Sequence, residues 1–202
     1  MNQIIKNTVI LFVITLVAGF CLGAVHDVTL VPIAQAQEAA ATKTFQEVYP
    51  DAASFDEPQE LADAVAAAAD SVSEWGYGKV TINDAKEALD ASGNKIGYLI
   101  TSTSAESYGG NVQIAVGISN EGELTGIGFL SISDTPGLGM RAKEPDFKDQ
   151  FIGKKAEKLE VTKTGASADN QIQAISGATI TSKAVTNATD AAIYFVANCL
   201  AQ

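Results

Sequence analysis

The stretch that decides the fold is "NVQIAVGISNEGELTGIGFLSIS", residues 111–133. Apolar residues alternate with polar or small residues on both sides of "NEG", residues 120–122. Alternation with a period of two is typical of half-buried strands, and a short Gly-containing segment between two such runs is typical of a tight turn. The stretch therefore predicts an antiparallel hairpin.

The flanking residues extend this hairpin into an α+β domain. Residues 95–107 alternate in part and predict a third strand of a meander, and residues 158–165 predict a further short strand. Apolar residues at helical spacing predict helices in 58–76, with Pro58 in the first turn and Gly76 as the stop, and in 182–202. Helices and strands are segregated along the chain, which favours an antiparallel sheet flanked by helices. Residues 134–151 predict a loop that leads into a short helix.

An uncharged apolar run occupies Val9 to Val25, about the length that crosses a bilayer. It predicts a single transmembrane helix. One alternative is a cleaved signal peptide, with "AQA" at 34–36 as its cleavage site, and a weaker one is a lipoprotein modified at Cys21. The run is longer than the core of a typical signal peptide and Ala36 lies far beyond its end, so we favour an uncleaved anchor.

The charges around this run predict its orientation and the division of the chain. Lys6 precedes the run, whereas Asp27 and Glu38 follow it. By the positive-inside rule, the N-terminus is cytoplasmic and the large domain extracytoplasmic, at the cell (inner) membrane. We divide the chain into three parts: residues 1–27, the cytoplasmic N-terminus and anchor; residues 28–57, a stalk or continuing helix with a turn-rich lead-in from 45; and residues 58–202, the extracytoplasmic domain.

Composition excludes several functions. The formal net charge is −11, which is unsuited to a phosphate backbone, so we expect no nucleic-acid partner. The two cysteines, Cys21 and Cys199, have no metal-binding spacing, and His26 is the single histidine. We therefore expect neither a metal site nor a histidine-based catalytic triad.

The segment "SGATITS", residues 176–182, precedes the last predicted helix and crowds hydroxyl residues around Gly177: Ser176, Thr179, Thr181 and Ser182. A helix N-terminus presents unpaired backbone N–H groups and a partial positive charge, so such a segment could hold a phosphate group. A threonine hydroxyl directed there could also be esterified. The alternative is that Thr181 or Ser182 merely caps the helix.

Two glycine-containing loops can likewise be interpreted either as ligand-binding segments or as ordinary turns. In "DTPGLGMR", residues 134–141, Pro136 and Gly137 predict a type II turn, and Arg141 is either an anion partner or an ordinary surface residue. "YGGN", residues 108–111, predicts a hairpin turn. Tyr98 and Tyr108 are interpreted as core aromatic residues rather than as a platform for ligand stacking.

Taken together and in this order, these segments resemble the G subunit of the Rnf electron-transport complex. More broadly, they resemble the covalent FMN-binding domain shared with the C subunit of the sodium-pumping NADH:quinone reductase. The resemblance covers nearly the whole chain: the anchor, "VYPDAASF" (48–55), "SYGGNVQIAVGIS" (107–119), "TPGLG" (135–139) and "SGATITS" (176–182).

The resemblance implies that FMN is attached to Thr179 through a phosphoester bond by a dedicated flavin transferase. It implies further FMN contacts from both loops: Ser176, Gly177, Ala178, Thr181 and Ser182, and Thr135, Gly137, Leu138 and Gly139. Two positions depart from the family pattern, which often has an acidic residue where Gln173 stands and a glutamate where Asp134 stands.

The function implied by the resemblance is that of an electron-carrying subunit in an ion-translocating ferredoxin:NAD oxidoreductase complex. It would relay electrons between membrane and redox subunits and would not be catalytic alone, with no catalytic residues and no metal. Two rivals remain at this point. One is a covalent-FMN carrier of a quinone reductase or extracellular electron-transfer chain, and the other is a non-redox, membrane-anchored binding domain.

Overall fold

The computed structural model describes residues 2–155 and 157–200. Contacts divide the chain into two units that meet between Ala41 and Thr42. Helix α1, Asn2–Val48, begins in the first unit and ends in the second. Its N-terminal part is long and apolar enough to cross a membrane, by length and composition. The helix also includes residues 28–44, for which a continuing helix was one of the two predictions.

The second unit is built on a five-stranded antiparallel sheet. Its strands follow one another in space as they do in the chain: β1 Ser54–Asp56, β2 Val80–Leu89, β3 Lys95–Ser107, β4 Gly110–Ser119 and β5 Leu124–Ile132. The hairpin predicted from 111–133 is β4 and β5, in which Ala115 pairs with Gly128 and Val116 with Ile127. The α+β class and the meander are confirmed, whereas β1 and β2 were not predicted.

Both faces of this sheet are buried, because alternate residues enter two different cores. Ile100, Ile114 and Val116 face the larger core, which also holds apolar residues of helix α2, Gln59–Ala69, and helix α4, Thr179–Phe195. Leu99 and Ala115 face the smaller core, formed with the end of α1. There Val48 is buried and the Thr125 hydroxyl donates to its carbonyl at 2.8 Å.

Three local predictions are corrected. The lead-in from residue 45 is not turn-rich throughout, because Phe45 and Val48 pack against the sheet and α1 continues to Val48. Helix α2 ends at Ala69 instead of Gly76, and Pro58 is its N-cap and not a residue of the first turn. Helix α4 begins at Thr179, three residues earlier than the predicted 182.

Helix α4 is buried on most of its surface and not along one stripe only. Its buried hydroxyls bond to backbone carbonyls one turn earlier, Thr186 to Ser182 and Thr189 to Val185, at 2.9 and 3.0 Å. This satisfies polar groups that would otherwise be costly to bury. The helix is followed by a π-helical turn, Val196–Leu200.

The chain between β5 and α4 forms the surroundings of the site. It contains a 3₁₀ turn at Gly139–Lys143, helix α3 at Pro145–Lys148 and a 3₁₀ turn at Asp149–Phe151, which confirms the predicted loop and short helix. Strand β6, Glu160–Thr162, confirms the strand predicted in 158–165. It pairs in parallel with β7, Gln171–Gln173, a strand that was not predicted and that leads directly into 176–182.

Candidate functional site

The N-terminus of α4 presents backbone donors that have no partner among the described residues. Ala178 is the N-cap residue and makes no side-chain capping bond, and Gly177 before it has a φ of 79°, a conformation that favours glycine. The first intrahelical bond runs from the Ser182 N–H to the Ala178 carbonyl, at 3.0 Å. The N–H groups of Thr179, Ile180 and Thr181 therefore precede the hydrogen-bonded part of the helix, where an anion is favoured.

The structure separates the four hydroxyls of "SGATITS" into two pairs. Thr181 and Ser182 are fully buried. The Thr181 hydroxyl donates to Asp134 Oδ2 at 2.5 Å, and the Ser182 hydroxyl donates to the Ala178 carbonyl at 2.9 Å and accepts the Ile175 N–H at 3.0 Å. Neither caps the helix N-terminus, so the interpretation of this segment as an ordinary hydroxyl cap is wrong.

Thr179 and Ser176 form the accessible pair. Ser176 is exposed and Thr179 is half-buried. Within residues 2–155 and 157–200, the Thr179 hydroxyl has no hydrogen-bond partner. Thr179 is the first residue of α4, so its hydroxyl lies beside the unpaired N–H groups. Of the four hydroxyls, it alone combines accessibility with a position on the helix N-terminus.

Thr179 and Ser176 line an open cavity of about 940 Å³, within the size range of small-molecule and cofactor sites. One wall is the segment from Gln173 to Thr179, and the other comes from the α3 region and from the residue that follows β6: Arg141, Glu144, Asp146, Phe147, Gln150 and Lys163. Arg141 Nε lies 3.1 Å from Glu144 Oε2. Lys163 makes no ion pair with any residue that the structure describes, and it is a cation that the sequence analysis missed.

Gln173 is exposed on this cavity, and its backbone is held by one side chain. Its N–H donates to Gln150 Oε1 at 2.7 Å, and Gln150 Nε2 donates back to its carbonyl at 3.3 Å. The segment that approaches Thr179 is thereby fixed against the 3₁₀ turn that contains Gln150.

The loop "TPGLG" adjoins the same segment. The Leu138 N–H donates to the Thr135 carbonyl at 3.1 Å and Gly137 has a φ of 76°, which confirms the predicted type II turn. Leu138 is 43% exposed and lies against Gly177, where an added Cβ would be 3.1 Å from Leu138 Cδ2. The structure thus brings together the two loops that the resemblance assigned to FMN.

Asp134, which immediately precedes this loop, is a buried carboxylate that the sequence analysis did not identify as structurally important. Besides Thr181, it accepts the Ser107 hydroxyl at 2.7 Å and the Gly109 N–H. Gly139 packs on its side chain, because an added Cβ there would lie 2.6 Å from Asp134 Cβ. The signal that could have found it is an acidic residue directly after a strand that ends among polar turns.

The predicted hairpin turn at "YGGN" is formed by Tyr108 and Gly109, and β4 begins at Gly110. Tyr98 packs against the larger core, as interpreted from the sequence. Tyr108 does not, because it lies at the hairpin tip and is 72% exposed. The interpretation of Tyr108 as a core residue is therefore wrong.

Known proteins are similar to this chain in the region that contains these two loops. The FMN-binding domain family matches residues 107–194, a range that includes both "TPGLG" and "SGATITS". The G subunit of the Na(+)-translocating ferredoxin:NAD(+) oxidoreductase complex of Acetobacterium woodii is 37% identical over 96% of this chain and 92% of its own length. The chain belongs to the G-subunit family of these complexes. This membership confirms the resemblance to the Rnf complex and FMN as the predicted cofactor.

Other members of the G-subunit family are similar over comparable lengths. The G subunit of the proton-translocating ferredoxin:NAD(+) oxidoreductase complex of Clostridium ljungdahlii is 30% identical over 95% of this chain and 91% of its own length. Among solved structures, the C subunit of the Na(+)-translocating NADH-quinone reductase of Parabacteroides distasonis aligns with 71% of this chain and 95% of its own, with 20% identity and a TM-score of 0.44.

The residues present in this member of the G-subunit family fit the phosphate of FMN. Its negative charge suits the three unpaired N–H groups at the start of α4 and the cation of Lys163 across the cavity. Across residues 2–155 and 157–200, the structure places no three His, Cys, Asp or Glu side chains together as metal ligands. Cys21 and Cys199 are both free thiols.

Proposed function

We propose that this chain is the electron-carrying flavoprotein subunit of an Rnf-type ion-translocating ferredoxin:NAD oxidoreductase complex, with FMN attached to Thr179 Oγ1. The observation that carries the proposal is the position of this hydroxyl. It is accessible, lies on the first residue of α4 and opens on a cofactor-sized cavity, whereas Thr181 and Ser182 are buried and hydrogen-bonded.

The attachment is a phosphoester exchange. Joining an alcohol to FMN requires a donor that holds the FMN phosphate in an anhydride bond, for which FAD is suitable. Thr179 Oγ1 forms a bond to the FMN phosphorus while the P–O bond to the AMP phosphate breaks. AMP leaves with both electrons of that bond, and the hydroxyl proton passes to a base of the flavin transferase. No electron is gained or lost by the protein.

The chain holds and orients the cofactor. The N–H groups of Thr179, Ile180 and Thr181 would hold the phosphate of FMN, whose charge the α4 dipole would favour. Leu138 and the backbone of the type II turn border the site on the side of Gly177. When bound, FMN supplies the electron-transfer chemistry, so the chain needs no acid–base pair of its own.

The proposal places this domain on the extracytoplasmic side of the cell membrane, held by the anchor within α1. There a covalent bond prevents loss of a cofactor that could not readily be replaced. The partners are the other membrane and redox subunits of the complex, and the flavin transferase during maturation. The acidic chain is not expected to bind nucleic acid, and it is not an enzyme in isolation.

The test compares hydroxyl variants of the full chain co-expressed with the transferase. After denaturing electrophoresis, wild type and Thr179→Ser should retain flavin fluorescence, and Thr179→Val should lose it. Ser176→Ala is the matched control, because it removes the other accessible hydroxyl, and it should stay labelled. Label on Thr179→Val that disappears in Ser176→Ala would assign attachment to Ser176 and contradict the proposal. Wild type that stays without flavin would support a non-redox binding domain instead.

A further inference from the structure

We propose that Asp134 is a positioning residue for flavin attachment, which holds the first turn of α4 so that Thr179 is presented to the transferase. This inference rests on the proposed function and concerns the same site. Asp134 does not reach the cavity that Thr179 lines, so its action is through Thr181.

Three segments converge on this carboxylate: the β3–β4 hairpin, α4 and "TPGLG". Oδ2 accepts the Ser107 hydroxyl from the end of β3 and the Thr181 hydroxyl from α4, at 2.7 and 2.5 Å. Oδ1 accepts the Gly109 N–H from the hairpin turn. Gly139, at the end of "TPGLG", packs against the same side chain. Asp134 thereby ties α4 to the sheet two residues from the attachment point.

Hydrogen bonds to the Asp134 carboxylate are stronger than bonds between neutral groups. The residue is 5% exposed, and no ion pair joins it to a basic side chain in the described part of the chain. Neutral hydroxyl and N–H donors and the α4 dipole are therefore what stabilise the carboxylate. A buried carboxylate loses free energy when a donor leaves it, so the bond from Thr181 fixes the rotamer of Thr181 and the orientation of the turn that carries Thr179.

Two of the donors provide a matched pair of substitutions. Thr181→Val removes the hydroxyl that links Asp134 to α4 and keeps the side-chain volume. Ser107→Ala removes a hydroxyl from the same Oδ2 but leaves the link to α4 intact. Thr181→Ser is the rescue variant, because it keeps the hydroxyl and loses the buried methyl group. A purely structural role predicts that Thr181→Val and Ser107→Ala slow attachment alike, because each removes one donor from the same Oδ2, whereas a positioning role predicts that only Thr181→Val does.

The experiment measures the rate of covalent flavin attachment to the purified full chain, with FAD and saturating flavin transferase. Thermal unfolding, followed by the fluorescence of Trp75, establishes that each variant is folded. Displacing a reacting group by about 1 Å can cost up to about a hundredfold in rate, so we expect Thr181→Val to be slowed at least about tenfold. Asp134→Asn should be slowed as well, because Asn offers a single acceptor oxygen to three donors. Thr181→Ser and Ser107→Ala should stay within about threefold of wild type.

Wild-type rates in Thr181→Val and Asp134→Asn would overturn the inference and leave the proposed function standing. Equal slowing by Ser107→Ala and Thr181→Val would also overturn it, because loss of either donor would then act through general stability. Label on Thr179→Val, or an unlabelled wild type, would instead contradict the proposed function, and the inference with it.

Discussion

Asp190, in the middle of α4, carries a buried carboxyl group with an incomplete set of partners. Oδ1 accepts the Leu159 N–H at 2.9 Å, and Oδ2 has no hydrogen-bond partner among the described residues. Burial raises the pKa of Asp190 to about 7, and the Leu159 N–H and the Lys158 charge oppose this rise. Tyr77 also interacts with this carboxylate. The pKa of Tyr77 is raised, first by burial and then by the negative charge of Asp190.

The raised pKa makes stability depend on pH in a defined direction. In the unfolded chain an aspartate titrates near 3.9, so between about pH 4 and pH 7 the folded state holds a proton that the unfolded state has released. The free energy of unfolding therefore decreases as pH rises through this window, by at most about 1.4 kcal/mol per pH unit from this group. Above about pH 8 both states are ionised, and the contribution no longer changes.

Asp190→Asn isolates this contribution. Asn Oδ1 can accept the Leu159 N–H, and the substitution removes the titrating group without changing the shape of the side chain. The difference in unfolding free energy, variant minus wild type, should rise by about 1.2 kcal/mol per pH unit between pH 5 and pH 6.5 and level off above pH 8. Other titrating groups cancel in this difference.

The assay is urea unfolding in mild detergent, followed by the fluorescence of Trp75, the single tryptophan of the chain. Its ring lies 4.7 Å from that of Tyr194, so its emission reports the packing around the C-terminal part of α4. Asp63→Asn is the matched control, because Asp63 is exposed and its bond from Gln59 survives the change. A difference for Asp190→Asn that stays constant from pH 5 to pH 8 would refute the reasoning.

Three further substitutions test the packing around the sheet and the site. Gly128→Val should lower the free energy of unfolding by about 1–3 kcal/mol in the same urea assay. The reason is that an added Cβ would lie 2.6 Å from Val48 Cγ2 and must displace the end of α1. Wild-type stability of this variant would mean that α1 does not pack there. Gly177→Ala should cost about 1–2 kcal/mol, since it places a side chain at a φ of 79° and against Leu138, and an unchanged thermal midpoint would contradict this. Phe195→Ala should cost about 3–5 kcal/mol because Phe195 is fully buried, and a loss below 1 kcal/mol in urea would show that the core closes over it.

The fold was predictable where a pattern was long enough to have a period. Residues 111–133 alternate over two strands and a turn, and the structure forms that hairpin with Gly122 in the turn. Strands β1 and β7 have three residues each, too few to show alternation by themselves, whereas the equally short β6 was predicted as part of the longer run 158–165. Strand β2 was missed because polar residues such as Asp84 and Lys86 interrupt it, and their ion pair at 3.0 Å forms only once the strand is in place.

The two loops of the site were predictable from the sequence, but the arrangement of their side chains around the cavity was not. Glycine and proline in "TPGLG" specified the turn, because Pro136 fixes its own φ and Gly137 tolerates the positive φ that the next position requires. Which hydroxyl of "SGATITS" is accessible depends on Asp134, which accepts the Thr181 hydroxyl from 47 residues earlier in the chain. Lys163 reaches the cavity only through the pairing of β6 with β7. Long-range contacts of this kind leave no local pattern.

The central claim, that Thr179 carries FMN, is tested most directly by the intact mass of the purified chain after co-expression with the transferase. Wild type and Ser176→Ala should each exceed their chain mass by one FMN residue, and Thr179→Val should show its chain mass alone. An FMN adduct that persists on Thr179→Val, or a wild type without any adduct, would contradict the account.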